Sequence, residues 1–302
     1  MGRKRQVPIS QRDGTIAAAP RQRRLVGKSS KATQNTISTF HTLLKRQAQL
    51  KRALSKDGSS TQAAILQAQL AEVDSAITDL GGLDSYQKAS TLGQSTQRGG
   101  DSSVVLIEWL NELGEAKLRE DLLGQKRKMR MLEIGALSPE NAAAKRPYIS
   151  NTPIDLNSQH PDILAQDFLQ RPLPKTDADK FDIISCSLVL NFVPEPRDRG
   201  RMLRLIHQHL LPSERSYLFL VLPTACTENS RYMTTDHLQS LLHHIGFEEV
   251  RKRAKPGGKV TYTLWKWQKE EDIAAVGNRH SFQRRVELRA GAKRNNFVVL
   301  LD

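Results

Sequence analysis

Residues 130–136 read R-M-L-E-I-G-A, a hydrophobic strand that breaks into a glycine turn. Asp155 follows in P-I-D-L-N, and Asp167 in A-Q-D-F. A glycine turn followed by acids at the next two strand ends suits a βαβ sheet. Such a sheet holds an adenosine-bearing cofactor at the carboxyl ends of its strands.

The neighbouring segments continue the alternation. After the first strand, 138–145 reads as a short helix, 150–156 as the second strand and I-L-A-Q-D-F at 163–168 as the third. F-D-I-I-S-C-S at 181–187 makes the fourth. Met202, Leu205, Ile206 and Leu210 then share one face of a helix over 198–210, stopped by Pro212. Y-L-F-L-V-L-P at 217–223 is apolar throughout, as a central strand covered on both faces must be. A helix over 235–244 ends near Gly246. F-E-E-V-R-K-R at 247–253 and V-T-Y-T-L-W-K-W at 260–267 flank the turn K-P-G-G-K, which predicts an antiparallel hairpin edge. The expected fold is therefore α/β: a Rossmann-like seven-stranded sheet of the kind methyltransferases use, with an N-terminal helical extension. A dehydrogenase needs two βαβαβ halves, and the terminal hairpin argues against them.

The chemistry of the turn favours S-adenosyl-L-methionine over a dinucleotide. L-E-I-G-A-L-S lacks the three glycines that wrap a pyrophosphate. S-adenosylmethionine has no pyrophosphate, so one close backbone approach at Gly135 suffices. Glu133 lies beside that turn and is placed to orient it, or to reach the cofactor ammonium through a water. Asp155, 20 residues beyond Gly135, suits both ribose hydroxyls. Asp167 suits the adenine amino group or a backbone cap, with Phe168 packed on the adenine ring. After the fourth strand comes S-C-S-L-V-L-N-F-V-P, residues 185–194. There Asn191 can hold a base through its amide, and Phe192 can stack on an extruded base. The other reading is that this apolar run simply covers the sheet. Cys186 belongs inside the fourth strand and has no activating neighbour in sequence. The eight histidines form no ligand pattern, so no metal site is expected.

Charge is uneven along the 302 residues. Residues 1–56 carry fourteen Lys and Arg against one acid, Asp13, which leaves 32 basic and 31 acidic residues beyond. A basic arm on a nearly neutral body points to a polyanion, and fixed phosphates reward several cations at once. Residues 251–302 add thirteen basic residues against five acids, with Phe282, Arg284, Arg285, Lys293 and Arg294 interleaving charge and apolar positions. F-V-V-L-L at 297–301 reads as a strand or a docked terminus. G-R-K-R at 2–5 and R-Q-R-R at 21–24 are clusters of nuclear-import type. Two cysteines give no disulfide framework, and neither a secretion signal nor a membrane span is expected.

The organisation follows: residues 1–35 form a basic disordered arm, 36–103 a helical hairpin and long loop, and 104–302 the sheet domain with a basic C-terminal extension. In the hairpin, apolar positions over 36–54 and 61–80 predict two helices, closed by Gly81-Gly82. Lys45, Arg46, Lys51 and Arg52 make a basic stretch that serves either RNA or packing on the main domain. Arg98, Gly99 and Gly100 lie in the loop and suit close approach to a cofactor or phosphate, or a plain linker. A helix over 104–113, extended by 118–123, covers the sheet.

At these residues the chain resembles the fungal 25S ribosomal RNA adenine-N1 methyltransferase family. The resemblance rests on L-E-I-G-A-L-S-P-E-N at 132–141, I-D-L-N at 154–157, Q-D-F at 166–168 and S-L-V-L-N-F-V-P at 187–194. It extends to G-L-D-S-Y-Q-K-A-S at 82–90, R-G-G-D-S-S at 98–103 and K-R-N-N-F at 293–297. It implies cofactor contacts at Gly135 and Asp155, one modified adenine in large-subunit rRNA and a nucleolar location. The expected partner is ribosomal RNA or a pre-60S particle, met by a monomer, with no membrane and no structural metal. A related animal group senses S-adenosylmethionine for nutrient signalling, and a sensing regulatory protein without catalysis is the alternative reading.

Overall fold

The computed structural model describes residues 30–56, 60–82, 85, 100–115, 127–269 and 282–302. The arm up to residue 29, most of the 83–99 loop and the helical extension at 118–123 lie outside the described residues. The strands are β1 (Met129–Ile134), β2 (Ile149–Asp155), β3 (Leu164–Ala165), β4 (Ile183–Ser187), β5 (Tyr217–Pro223), β6 (Phe247–Ala254) and β7 (Val260–Trp267). They form one sheet in the order β3-β2-β1-β4-β5-β7-β6. The first five of these pair in parallel, while β7 runs antiparallel between β5 and β6. The expected seven-stranded sheet with its terminal hairpin is the observed one.

Side chains alternate across the sheet with the period of two that the pleat imposes. Met129, Met131, Ile183, Tyr217, Phe219, Val221 and Leu264 share one face. That face is covered by α3 (Ser103–Glu112), whose Trp109 meets Phe219 edge-on at 5.9 Å. Leu132, Ile134, Ile184, Cys186, Leu218, Leu220, Leu222 and Trp265 share the other. It is covered by α4 (Pro196–His209), by α6 (Thr235–Ile245) and by residues 297–301. Burial of each such large apolar side chain stabilises by about 1.5–3 kcal/mol. Two further helices, α1 (Ser30–Lys56) and α2 (Ser60–Asp79), form the expected hairpin. Arg46 donates to Gln69 at 2.9 Å, and Gln47 to Asp74 at 2.7 Å. Gly81 and Gly82 follow at φ of +85° and +63°.

Several elements depart from the sequence reading. Helix α1 begins at Ser30, inside the span assigned to the arm. The short helix expected over 138–145 is a series of turns. There the N–H groups of Ala142, Ala143 and Ala144 donate to Asp101, Ser103 and Asn141 side chains, which replace a helical ladder. Strand β3 is two residues long, because Asp167 caps a 3-10 turn over Phe168–Gln170 and the chain turns away. A four-residue helix, α5 (Ala225–Glu228), follows β5 unannounced. Of the two readings of 297–301, the docked terminus is the one observed.

Connectivity places the crevice. The chain runs outward from β1 through β2 to β3, then returns to β4 on the other side of β1. Ile134 pairs with Cys186, so the two strands end together. This reversal of strand order opens a crevice beyond the carboxyl ends of β1 and β4, where ligands of such sheets sit.

Candidate functional site

Gly135 stands at the mouth of that crevice with φ +77°. Its N–H and that of Ala136 both donate to the Ile154 carbonyl, at 2.8 and 3.0 Å, which pins the turn to the end of β2. A Cβ here would lie 2.3 Å from Val189 Cγ2. Glycine is thus required both by backbone conformation and by the approach of the segment after β4.

Beside the turn, Glu133 Oε2 accepts from Asn141 Nδ2 at 2.6 Å and from Asn151 Nδ2 at 2.8 Å. Burial raises the Glu133 pKa above the ordinary carboxylate value; the two amide bonds oppose the shift and nearby Asp101 adds to it. Asp101 in turn accepts from Ser103 N at 2.9 Å and from Ala142 N at 2.5 Å. Ser102 Oγ lies 2.9 Å from Ser187 Oγ at the end of β4. The D-S-S part of R-G-G-D-S-S is therefore built into the crevice, whereas Arg98 and Gly99 lie outside the described residues. Sequence reasoning assigned no role to Asp101, Ser102, Asn141 or Asn151. The polar D-S-S before an apolar helix and the asparagine of S-P-E-N were the available signals.

Asp155 ends β2, and its Oδ1 accepts from Asn157 N at 2.8 Å. Half-buried Asp167 uses Oδ1 to cap the following turn, accepting from Leu169 N at 2.9 Å, so it carries the capping role. Phe168 departs from the expectation of an adenine platform. It is 3% exposed, and its ring packs on His209 at 5.4 Å in the core. The apolar side chain nearest a turn is drawn into the core by the same burial that makes it look like a ligand contact.

The segment after β4 is strained and heavily braced. Leu188 has φ +57°, the one positive value among described non-glycine residues. Such a conformation costs about 1–2 kcal/mol and persists only where surroundings impose it. Its N–H donates to Val221 O at 2.9 Å, and Phe192 N–H to Val189 O at 2.8 Å. Leu190 and Val193 are buried in the core, and Phe192 is half-buried. Asn191 is 7% exposed, and its Oδ1 has no hydrogen-bond partner among the described residues. A buried acceptor left unsatisfied costs about 1–3 kcal/mol, a cost that Asn151 Oδ1 shares.

The chain as a whole matches a known family. A model of that family, "25S rRNA (adenine(2142)-N(1))-methyltransferase, Bmt2", matches residues 71–299. The chain belongs to the Bmt2 family. It is 36% identical over 271 residues to the 25S rRNA (adenine(2142)-N(1))-methyltransferase of Saccharomyces cerevisiae, covering 89% of this chain and 73% of that protein. Identity to the 25S rRNA adenine-N(1) methyltransferase of Schizosaccharomyces pombe is 34% over 274 residues, covering 87% and 89%. Among solved structures, the N-methyltransferase NodS of Bradyrhizobium japonicum WM9 aligns at TM-score 0.36 and 16% identity, over 52% of this chain and 88% of that one.

What braces the 191–194 segment in this Bmt2-family chain is Arg199, which sequence reasoning missed. It is 3% exposed and donates to Val193 O at 2.8 Å, Pro194 O at 3.0 Å and Val298 O at 2.6 Å. Its guanidinium also lies 4.8 Å from the centroid of Phe297. Burial pushes its pKa down to about 10. An arginine on the apolar face of α4 was its one trace in the sequence. On the outer side, Arg52 of α1 pairs with Glu195 at 2.6 Å and Asp198 at 3.1 Å. Of the basic stretch in α1, Arg46 and Arg52 thus hold the protein together, and Lys45 is half-buried. Both thiols are inert: burial pushes Cys186 and Cys226 up to about 12. No group of three or more metal-ligating side chains occurs among the described residues. No helix among them is long and apolar enough to cross a membrane.

Proposed function

We propose that this protein transfers the methyl group of S-adenosyl-L-methionine to N1 of an adenine in 25S ribosomal RNA. The match of residues 71–299 to a family of that activity carries the reading. The residues at the crevice fit the cofactor. The turn at Gly135 admits a close backbone approach, and Glu133 keeps that turn tied to Asn141 and Asn151. Asp155 stands at the strand end where a carboxylate accepts ribose hydroxyls. The cap at Asp167 employs Oδ1 and leaves Oδ2 for the adenine amino group. When bound, the cofactor supplies a methyl activated by its sulfonium.

Adenine N1 carries an in-plane lone pair, so transfer needs placement more than a general base. As the N1–carbon bond forms and the carbon–sulfur bond breaks, positive charge moves onto the adenine ring. An acceptor at the N6 amino group stabilises that charge. Asn191 Oδ1 is the unsatisfied acceptor at the right segment, and the half-buried Phe192 beside it suits stacking on a base taken out of its helix. The site of action we assign is the nucleolus, with a monomer meeting rRNA or a pre-60S particle.

The test is transfer of labelled methyl to 25S rRNA lacking the modification, with 1-methyladenosine read by mass spectrometry. Wild-type protein should restore one modified adenine, and Asn191→Ala should lose most of that activity while binding cofactor. Normal cofactor binding without any transfer would overturn the reading in favour of a sensor.

A further inference from the structure

The C-terminal basic residues divide into two groups. Arg289 donates to the carbonyls of Thr227, Glu228, Ser230 and Met233. Arg231 donates to Asn296 and Ala292, and Arg294 to Ala290. These three are consumed in holding the chain. Leu301 N–H closes the segment by donating to Phe282 O at 2.9 Å. Within it, Leu288 N–H donates to Arg231 O and Asn295 N–H to Asn229 O, so the excursion is fixed along the connection that follows β5. Its return lies on α4, which follows β4. Both anchors are at the carboxyl edge of the sheet, the edge that carries Gly135 and Asn191.

The other group has no such work. The side chains of Arg284, Arg285 and Lys293 are exposed and make no hydrogen bond or ion pair with any described residue, the Lys293 backbone carbonyl alone accepting from Asn229 Nδ2 at 3.4 Å. The Arg285 guanidinium lies 6.0 Å from the Tyr232 ring centroid. Val286 and Leu288 between them are 50% and 38% exposed. Glu287 is the one acid in 282–301. A braced loop presents cations and apolar surface without paying much further ordering entropy on binding, and fixed phosphates are the complementary partner.

We infer that this closed C-terminal loop is an RNA-docking surface, with Arg284, Arg285 and Lys293 on backbone phosphates and Val286, Leu288 and Tyr232 against an unpaired sugar or base. The inference rests on the proposed rRNA substrate. It adds which surface receives it.

The experiment compares the full chain with R284Q/R285Q/K293Q, and with K128Q/K145Q/R146Q as a control of equal charge. The control residues are exposed at the opposite edge, beside the starts of β1 and β2. Binding to an unmodified 25S rRNA transcript is measured across salt concentrations. The loop variant should lose about 0.7 per contact, roughly 2 in all, from the slope of log affinity against log salt. Its affinity at 0.15 M salt should fall by tens of fold, roughly 50. Melting temperature and cofactor affinity should not change, and the control should bind within about threefold of wild type. Equal losses in both variants would assign the effect to net charge and overturn the surface. So would a wild-type slope in a loop variant that still methylates RNA. Loss of binding to anionic phospholipid vesicles with RNA binding intact would overturn it in favour of a membrane. A wild-type chain that neither binds nor methylates the transcript would overturn both this surface and the proposed function.

Discussion

Gly200→Ala adds one methyl group to the buried face of α4, and two effects of opposite sign decide its outcome. Inside a helix, alanine is favoured over glycine by about 1 kcal/mol. The added Cβ, however, would sit 2.0 Å from Leu300 O and 2.9 Å from Leu300 C. Ordinary carbon–oxygen contact is about 3.3 Å, so the terminus must retreat by more than 1 Å. That retreat stretches Leu300 N–H to Pro196 O, 3.0 Å, and Leu301 N–H to Phe282 O, 2.9 Å. Overpacking costs about 1–3 kcal/mol, and each loosened bond about 0.5–1.5 kcal/mol. After the helix gain, a net loss of about 1–5 kcal/mol remains. It should appear in urea unfolding and as a fall of several degrees in melting temperature. Activity should fall further than stability, because the retreat draws Val298 O away from Arg199 and frees the 193–194 segment. A variant as stable as wild type, or more stable by the helix gain, would show that the terminus does not dock on α4.

Asp155→Ala should weaken cofactor binding by about 1.5–3 kcal/mol through loss of a charge-assisted bond, and unchanged affinity in calorimetry would remove Asp155 from the site. Arg199→Met should destabilise by about 1.5–6 kcal/mol, since three charge-assisted bonds at about 1.5–3 each outweigh a desolvation cost of roughly 3 kcal/mol; equal urea midpoints for the two proteins would refute that balance. Glu133→Gln keeps an acceptor for Asn141 and Asn151 and removes a titration. The raised folded pKa means the native state holds this proton more tightly than the unfolded chain. Its stabilising contribution is therefore full below the unfolded value and is lost as pH rises through the raised one. Wild type should lose stability relative to Glu133→Gln across that window in urea unfolding series, and a constant difference would contradict it.

Local patterns specified much of this molecule. A strand such as 217–223 is apolar on both faces wherever it ends up, so its residues alone report that it is central. The glycine turn at 135, the helix over 198–210 and the hairpin at 255–259 follow from backbone conformation and periodicity within a few residues of each position. Asp155 reached a strand end for the same reason. The sequence therefore determined the seven-stranded α/β sheet and the edge at which its chemistry lies.

Side-chain partners across long separations were another matter. Phe168 reads as a ring platform beside Asp167, yet its apolar surface is better buried against His209. Arg199 shows in sequence only as a charge on a helix, while its three carbonyl partners come from the turn before α4 and from a terminus 99 residues away. Asp101, Asn141 and Glu133 meet because α3 and the 138–145 turns pack at the end of β1. The C-terminal arginines look alike as letters, and only folding separates those that grip carbonyls from those that face solvent. Hydrogen bonding and desolvation depend on which atoms are within about 3 Å, and no one-dimensional pattern carries that distance.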